Sequence, residues 1–151
     1  MNIHKDFEEF LQLLNDEMVE YVIVGGYAVA FHGYVRATQD IDLFFRNSEK
    51  NILRIQKALL SFGISTTSEQ LLEFKDPGSI LRMGLPPVKI EMINSISGLS
   101  FNEVWENRNS GHYGTVPVNF ISFEHLLKNK RESGRPKDIA DIDELGGNLN
   151  T

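Results

Sequence analysis

Asp40 and Asp42 flank a single apolar residue, and Gly25-Gly26 stands upstream of them across thirteen residues. Alternate side chains of a strand share a face, so the two carboxylates point the same way while Ile41 and Leu43 anchor the opposite face. A Gly-Gly break after the apolar run Tyr21-Val22-Ile23-Val24 lets backbone N–H groups approach a phosphate closely. Carboxylates are hard oxygen ligands of the kind that Mg²⁺ or Mn²⁺ takes. A pair of such ions about 3.5–4 Å apart can neutralise a triphosphate and activate an attacking hydroxyl. Together the two features read as the halves of a site for a metal-bound nucleoside triphosphate, and the chemistry they suggest is nucleotidyl transfer.

That chemistry wants a third acid from a neighbouring strand. Val88-Lys89-Ile90-Glu91-Met92-Ile93 supplies Glu91 at the centre of an otherwise apolar run. Val88, Ile90 and Met92 share one face and Lys89, Glu91 and Ile93 the other. A charge at a strand centre is costly to bury alone. A metal beside Asp40 and Asp42 would be its partner; the alternatives are pairing with an arginine or simple exposure. Gly-Gly alone is more often only a turn. Asp-x-Asp alone also occurs in other phosphotransfer folds, sugar-nucleotide enzymes and calcium loops. A dehalogenase-like phosphatase, with Asp40 as nucleophile and Asp42 as acid, would use the same pair but gives no reason for Gly25-Gly26.

Hydrophobic periodicity gives the elements that must position these groups. Residues 3–20 read as an amphipathic helix with Phe7, Phe10, Leu11, Leu14 and Met18 inward. Tyr21–Val24 reads as a buried strand, Tyr27–Phe31 as a short helix ending near Gly33, residues 34–39 as a loop and Ile41–Phe45 as the second strand. Asn47 or Ser48 caps a helix to about Phe62, stopped by Gly63. Ser68–Phe74 is a further short helix, and Asp76-Pro77-Gly78 is a turn. A hairpin follows, Ser79–Met83 with Val88–Ile93 around Gly84–Pro87. Residues 101–108 read as helix, Gly111–Gly114 as loop, and Val116–Ile121 as a strand that Pro117 places at an edge. Ser122 opens a helix to about Glu132, ended by Gly134. Pro136 starts the last helix, 136–145, which Gly146-Gly147 closes. The expectation is an α+β (mixed α/β) fold, a small mixed sheet flanked by helices, as a single domain over residues 1–151.

Composition bounds the function. The 151 residues are 41% hydrophobic and 24% charged, which is globular and not disordered. No apolar run approaches a membrane span and no signal-peptide core stands at the N-terminus, so no membrane association and a cytoplasmic location are expected. There are no cysteines, which excludes disulfides and thiolate metal sites. The net charge of −6 is not that of a chain gripping nucleic acid by charge alone. Basic residues do gather at Lys128, Lys130, Arg131, Arg135 and Lys137, either as a solvated helix face or as a polyanion-facing patch.

The pattern apolar–Gly-Gly, thirteen residues, Asp–apolar–Asp, then apolar–Glu–apolar resembles the DNA polymerase β-like nucleotidyltransferase superfamily. The longer string Gly25-Gly26-Tyr27-Ala28, His32-Gly33, Arg36-x-Thr38-x-Asp40-Ile41-Asp42-Leu43 resembles its small bacterial branch related to the toxins of type IV abortive-infection systems, as does Arg135-Pro136-Lys137-Asp138-x-x-Asp141. The resemblance implies a metal-dependent enzyme moving NMP from an NTP to a hydroxyl, with Mg²⁺ or Mn²⁺ on Asp40, Asp42 and Glu91. Gly25 and Gly26 would start the phosphate-binding turn, and Glu91 would orient or deprotonate the acceptor, although aspartate is commoner there. Lys137 and Asp138 would lie near the nucleotide, and Arg36 would either support the Asp40–Asp42 strand or reach phosphate. It leaves the acceptor open among tRNA, protein and a small molecule such as an aminoglycoside. Few residues follow Asp141, so an antitoxin protein or a homo-oligomer is expected to complete the site. The alternative is a catalytically idle nucleotidyltransferase fold serving as a binding or regulatory module. His32 reads as a satisfied loop histidine, Thr38 as structural and Trp105 as packing, and Tyr113 is open. Arg135 and Lys137 are expected to face the nucleotide, and Lys128, Lys130 and Arg131 to matter only for a polyanionic acceptor.

Overall fold

The computed structural model describes residues 3–37, 40–85 and 88–146. Thr38, Pro86 and Pro87 of the hairpin turn, and Gly147 lie outside them. The described residues form α1 (Lys5–Asp16), β1 (Tyr21–Val24), α2 (Gly25–Phe31), β2 (Asp40–Phe45), α3 (Glu49–Ser61), α4 (Ser68–Glu73), β3 (Ile80–Leu85), β4 (Val88–Ile93), α5 (Phe101–Glu106), β5 (Asn109–Tyr113), β6 (Val116–Phe120), α6 (Phe123–Ser133) and α7 (Pro136–Glu144). Among these no helix is long and apolar enough to cross a membrane.

The strands make one mixed sheet in the order β3-β4-β2-β1-β6-β5. β2 runs antiparallel to β1 and parallel to β4, in a register that sets Asp42 opposite Glu91. β3 runs antiparallel to β4 and sets Arg82 opposite Glu91. The period-2 pattern then fixes the faces. Ile41, Leu43 and Phe45 point into a core that includes Phe10, Leu14, Ile52, Ile55 and Leu59, from α1 and α3. Asp40, Asp42 and Phe44 point to the other side. There Phe101 of α5 packs edge-on against Phe44 at 5.1 Å between centroids, so that face is sealed at one end and open at the aspartates.

Several elements end where their caps dictate. Ser48 and Ser122 each accept the backbone N–H three residues on. Gly134 stops α6 at φ 65°, and Pro136 takes the first position of α7. α1 is shorter than expected, because Met18 adopts φ 58° and the N–H of Val19 returns to the carbonyl of Leu14 at 3.0 Å. That is a left-handed helix stop made without glycine, and it leaves Met18 70% exposed instead of inward.

Two strand expectations also change. Asn109–Tyr113 is a strand, β5, where a loop is expected over Gly111–Gly114. It pairs along its length with β6, and Gly111 leaves the room that the rings of Phe31 and Phe120 fill. β6 lies inside the sheet, yet Pro117 costs no ladder to β1, because the registered β1–β6 pair is Ile23 with Phe120.

Candidate active site

Asp40, Asp42 and Glu91 converge at the open end of the β2–β4 pair, in a cleft of about 680 Å³. The cleft continues along Gly78–Ile80 and Ser95–Ser97, and Lys130, Ser133, Arg135, Lys137 and Asp138 close it from α6 and α7. Asp42 and Glu91 share a hydrogen bond. Burial, then the charge and hydrogen bond of Glu91, push the Asp42 carboxyl up to about 7. Burial acts on Glu91 in the same sense, but hydrogen bonds from Lys89, Arg82 and Asp42 outweigh it and hold Glu91 below its usual value. Of the pair, Asp42 is thus the carboxyl that takes up a proton first.

Lys89 and Arg82 are the local counter-cations. Lys89 Nζ lies 3.2 Å from Glu91 Oε1 and 3.8 Å from Asp40 Oδ2. Arg82 Nε donates to Glu91 Oε1 at 3.2 Å. Among the described residues no His, Asp and Glu side chains stand as a ready-made set of three metal ligands. The donor chemistry nevertheless fits a hard divalent cation. Three carboxylates meet in one cleft, and burial together with the charges of Glu91 and Asp40 raises the Asp42 carboxyl, an opposition to ionisation that a divalent charge would relieve.

Gly25 is built against this cluster. It sits at φ +67°, and a Cβ there would lie 2.1 Å from Asp42 Oδ2. Both the backbone conformation and the space require glycine. Gly25 lines the cleft, whereas Gly26 is buried within α2. Gly25→Ala is expected to cost about 1–3 kcal/mol of stability through the strained φ and to displace the Asp42 carboxylate. A denaturant midpoint and an activity assay check it: wild-type values for both would mean that the contact is not needed.

A buried ionic network fixes the far wall. Lys130 is 5% exposed, and its Nζ lies 3.0 Å from both Asp138 Oδ1 and Asp141 Oδ2, each of these aspartates 2% exposed. Arg36 clasps Asp141 with Nε and Nη2 at 2.9 and 3.0 Å. The Ser133 hydroxyl and Arg135 Nε donate to Asp138 Oδ2. Burial alone would raise the Asp138 carboxyl, but Ser133, Arg135 and Lys130 hold it down at about 2. Asp141 is likewise lowered, by Arg36 and Lys130 against burial. The loop leading into β2 is thereby tied to α7, the helix that carries Lys137 to the cleft.

The sequence matches, over residues 1–146, the model of a family described as a nucleotidyltransferase of unknown function (DUF6036). The chain belongs to this family. No curated protein sequence matches the nucleotidyltransferase. Its fold is that of known nucleotidyltransferases. TM1012 of Thermotoga maritima superposes with a TM-score of 0.61 at 14% identity, over 93% of this chain and 89% of that one. The antibiotic-resistance factor ANT(2'')-Ia gives 0.63 at 14% identity over 93% and 80%. The lincosamide antibiotic adenylyltransferase LnuA, bound to lincomycin, gives 0.59 at 18% over 97% and 98%.

The remaining candidates of this nucleotidyltransferase divide clearly. Lys137 is exposed, lines the cleft, and its charge reaches Asp42. Arg135 also lines the cleft. The Asp138 carboxylate and the Arg36 guanidinium are engaged within the network, so their place is to position α7 and the loop before β2. His32 Nε2 meets the Ile121 carbonyl at 2.7 Å. Tyr113 is fully buried and its hydroxyl accepts the His4 N–H at 2.9 Å. Trp105 stacks on Phe101 beneath Arg108. Lys130 corrects the expectation for the basic run: it is an interior cation, whereas Lys128 is exposed. Lys89 and Arg82 are cations of the site to which the sequence assigned no role. For Lys89 a signal existed, since it shares the strand face of Glu91.

Proposed function

We propose that the chain transfers NMP from an NTP to a hydroxyl acceptor, with Asp40, Asp42 and Glu91 holding Mg²⁺ or Mn²⁺. The observation that carries this reading is the meeting of the three carboxylates beside Gly25, which leaves the Asp42 carboxylate no room for a side chain at that position. Bound there, the divalent cation would neutralise triphosphate charge and act as a Lewis acid. Lys137, presented by the first turn of α7, meets phosphate charge. Glu91 orients the acceptor hydroxyl and takes its proton at a carboxylate oxygen. The acceptor oxygen bonds to the α-phosphorus, the bond to the bridging oxygen breaks, and pyrophosphate leaves.

We read the chain further as a toxin-like member of a two-component system in the bacterial cytoplasm, on the strength of Arg135-Pro136-Lys137-Asp138-x-x-Asp141. An antitoxin or a second copy would then complete the acceptor side. The pairing of Glu91 with Lys89 and Arg82 favours one other reading, an idle module that binds nucleotide and transfers nothing.

Thermal melting tests the shared first step. NTP raises the melting temperature only with a divalent cation present; equal stabilisation in excess chelator contradicts the metal site. Lys137→Ala is expected to weaken NTP binding about tenfold with the melting temperature unchanged. Calorimetric titration checks it, and unaltered affinity would remove the C-terminal motif from the site.

A further inference from the structure

The carboxylate cluster already contains a cation of its own. Lys89 precedes Glu91 by two residues on β4, so both side chains leave the same face of the sheet. The register places Lys89 opposite Asp40 on the parallel strand β2. Its side chain is 28% exposed, and the ammonium reaches between Glu91 Oε1 at 3.2 Å and Asp40 Oδ2 at 3.8 Å. Arg82, on the other neighbouring strand, holds Glu91 alone and is 59% exposed. Of the two cations, Lys89 is therefore the one that spans carboxylates from both strands.

We propose that Lys89 is the resident counter-ion of this cluster and keeps a divalent cation from settling there until one arrives together with a nucleotide. The inference rests on the metal-binding reading of Asp40, Asp42 and Glu91. A hard cation held by the carboxylates of Asp40 and Glu91 would stand beside the ammonium that bridges them, and the two positive charges compete at close range. A free cation brings no charge that offsets the displacement of Lys89. A cation carried on a triphosphate brings several negative oxygens, and the balance turns in favour of loading. The site accordingly takes cation and nucleotide as a unit and stays closed to free cation, with its carboxylates held in place meanwhile.

Manganese titration of the whole chain, followed by the electron paramagnetic resonance of free Mn²⁺, tests this without any turnover. Without nucleotide, Lys89→Met is expected to bind Mn²⁺ at least about tenfold more tightly than wild type. Lys89→Arg, which restores the charge, is expected to stay near wild type. The advantage of Lys89→Met is expected to shrink when a non-hydrolysable NTP is added. Circular dichroism melting establishes that both variants are folded. Equal or weaker Mn²⁺ binding by folded Lys89→Met, with wild type binding measurably in the presence of nucleotide, overturns the role of Lys89 and leaves the metal site standing. Absence of Mn²⁺ binding by wild type and variant alike, with and without nucleotide, overturns the metal site and this inference together.

Discussion

Asp42→Asn is expected to leave a folded protein whose nucleotidyl transfer has fallen by about 10²–10³-fold or more. Asparagine keeps the size of aspartate and one carbonyl oxygen, so the packing against Gly25 survives. It removes the ionisable group at a point of the carboxylate cluster where burial first, and then the charges of Glu91 and Asp40, oppose ionisation. Loss of that crowding makes the variant as stable as wild type or more so. Activity and melting temperature thus move independently, as expected of a group placed for chemistry at some expense of stability. A variant that unfolds would make Asp42 a structural residue. One that transfers at the wild-type rate would remove it from the site.

Lys130→Met is expected to act in the opposite way and unfold or severely destabilise the chain, by about 3–5 kcal/mol. The substitution keeps an unbranched side chain but strands two buried carboxylates, Asp138 and Asp141, with Arg36 and Arg135 as their remaining cations. The network also sets an acid limit. The Asp138 carboxyl is held at about 2 in the fold, against roughly 3.9 for an unfolded aspartate. As pH falls through that window the unfolded chain takes up the proton first. The contribution of Asp138 is therefore complete above about pH 4 and is lost towards pH 2. Urea titrations from pH 6 to pH 2 check both points: wild type loses stability steeply below pH 4, and the variant starts lower with a shallower slope. A Lys130→Met chain as stable as wild type would show that the ion cluster is replaceable by apolar packing.

The same two sites show what the sequence could and could not reveal. Asp40, Asp42 and Glu91 were legible because strand period is a local property: alternate residues share a face, and two such strands need only pair in register. Helix boundaries were legible where a capping chemistry exists, as at Ser48, Ser122, Gly134 and Pro136. The end of α1 was not, because Met18 takes a left-handed conformation that favours glycine. β5 was not, because Asn109-Ser110-Gly111-His112 has no strand propensity of its own and is held by its ladder to β6. Lys130 looked like one more charge of a basic run. Its burial depends on Asp141, which follows on the next helix across the Gly134 turn, and on Arg36, which reaches Asp141 from 105 positions away in the chain. Charges gathered in sequence say nothing of which one the fold turns inward.

Transfer of label from NTP separates nucleotidyl transfer in this cleft from every other reading of it. Wild type and Asp42→Asn are incubated with total cell extract and a divalent cation, once with NTP labelled at the α-phosphate and once at the γ-phosphate. Macromolecules and small molecules are then separated and counted. Wild type is expected to attach the α-label to an acceptor, to release the γ-label as pyrophosphate, and to lose both with chelator or with Asp42→Asn. Attachment of the γ-label would mean phosphoryl transfer, and α-labelling that persists in Asp42→Asn would contradict the assignment of this cleft.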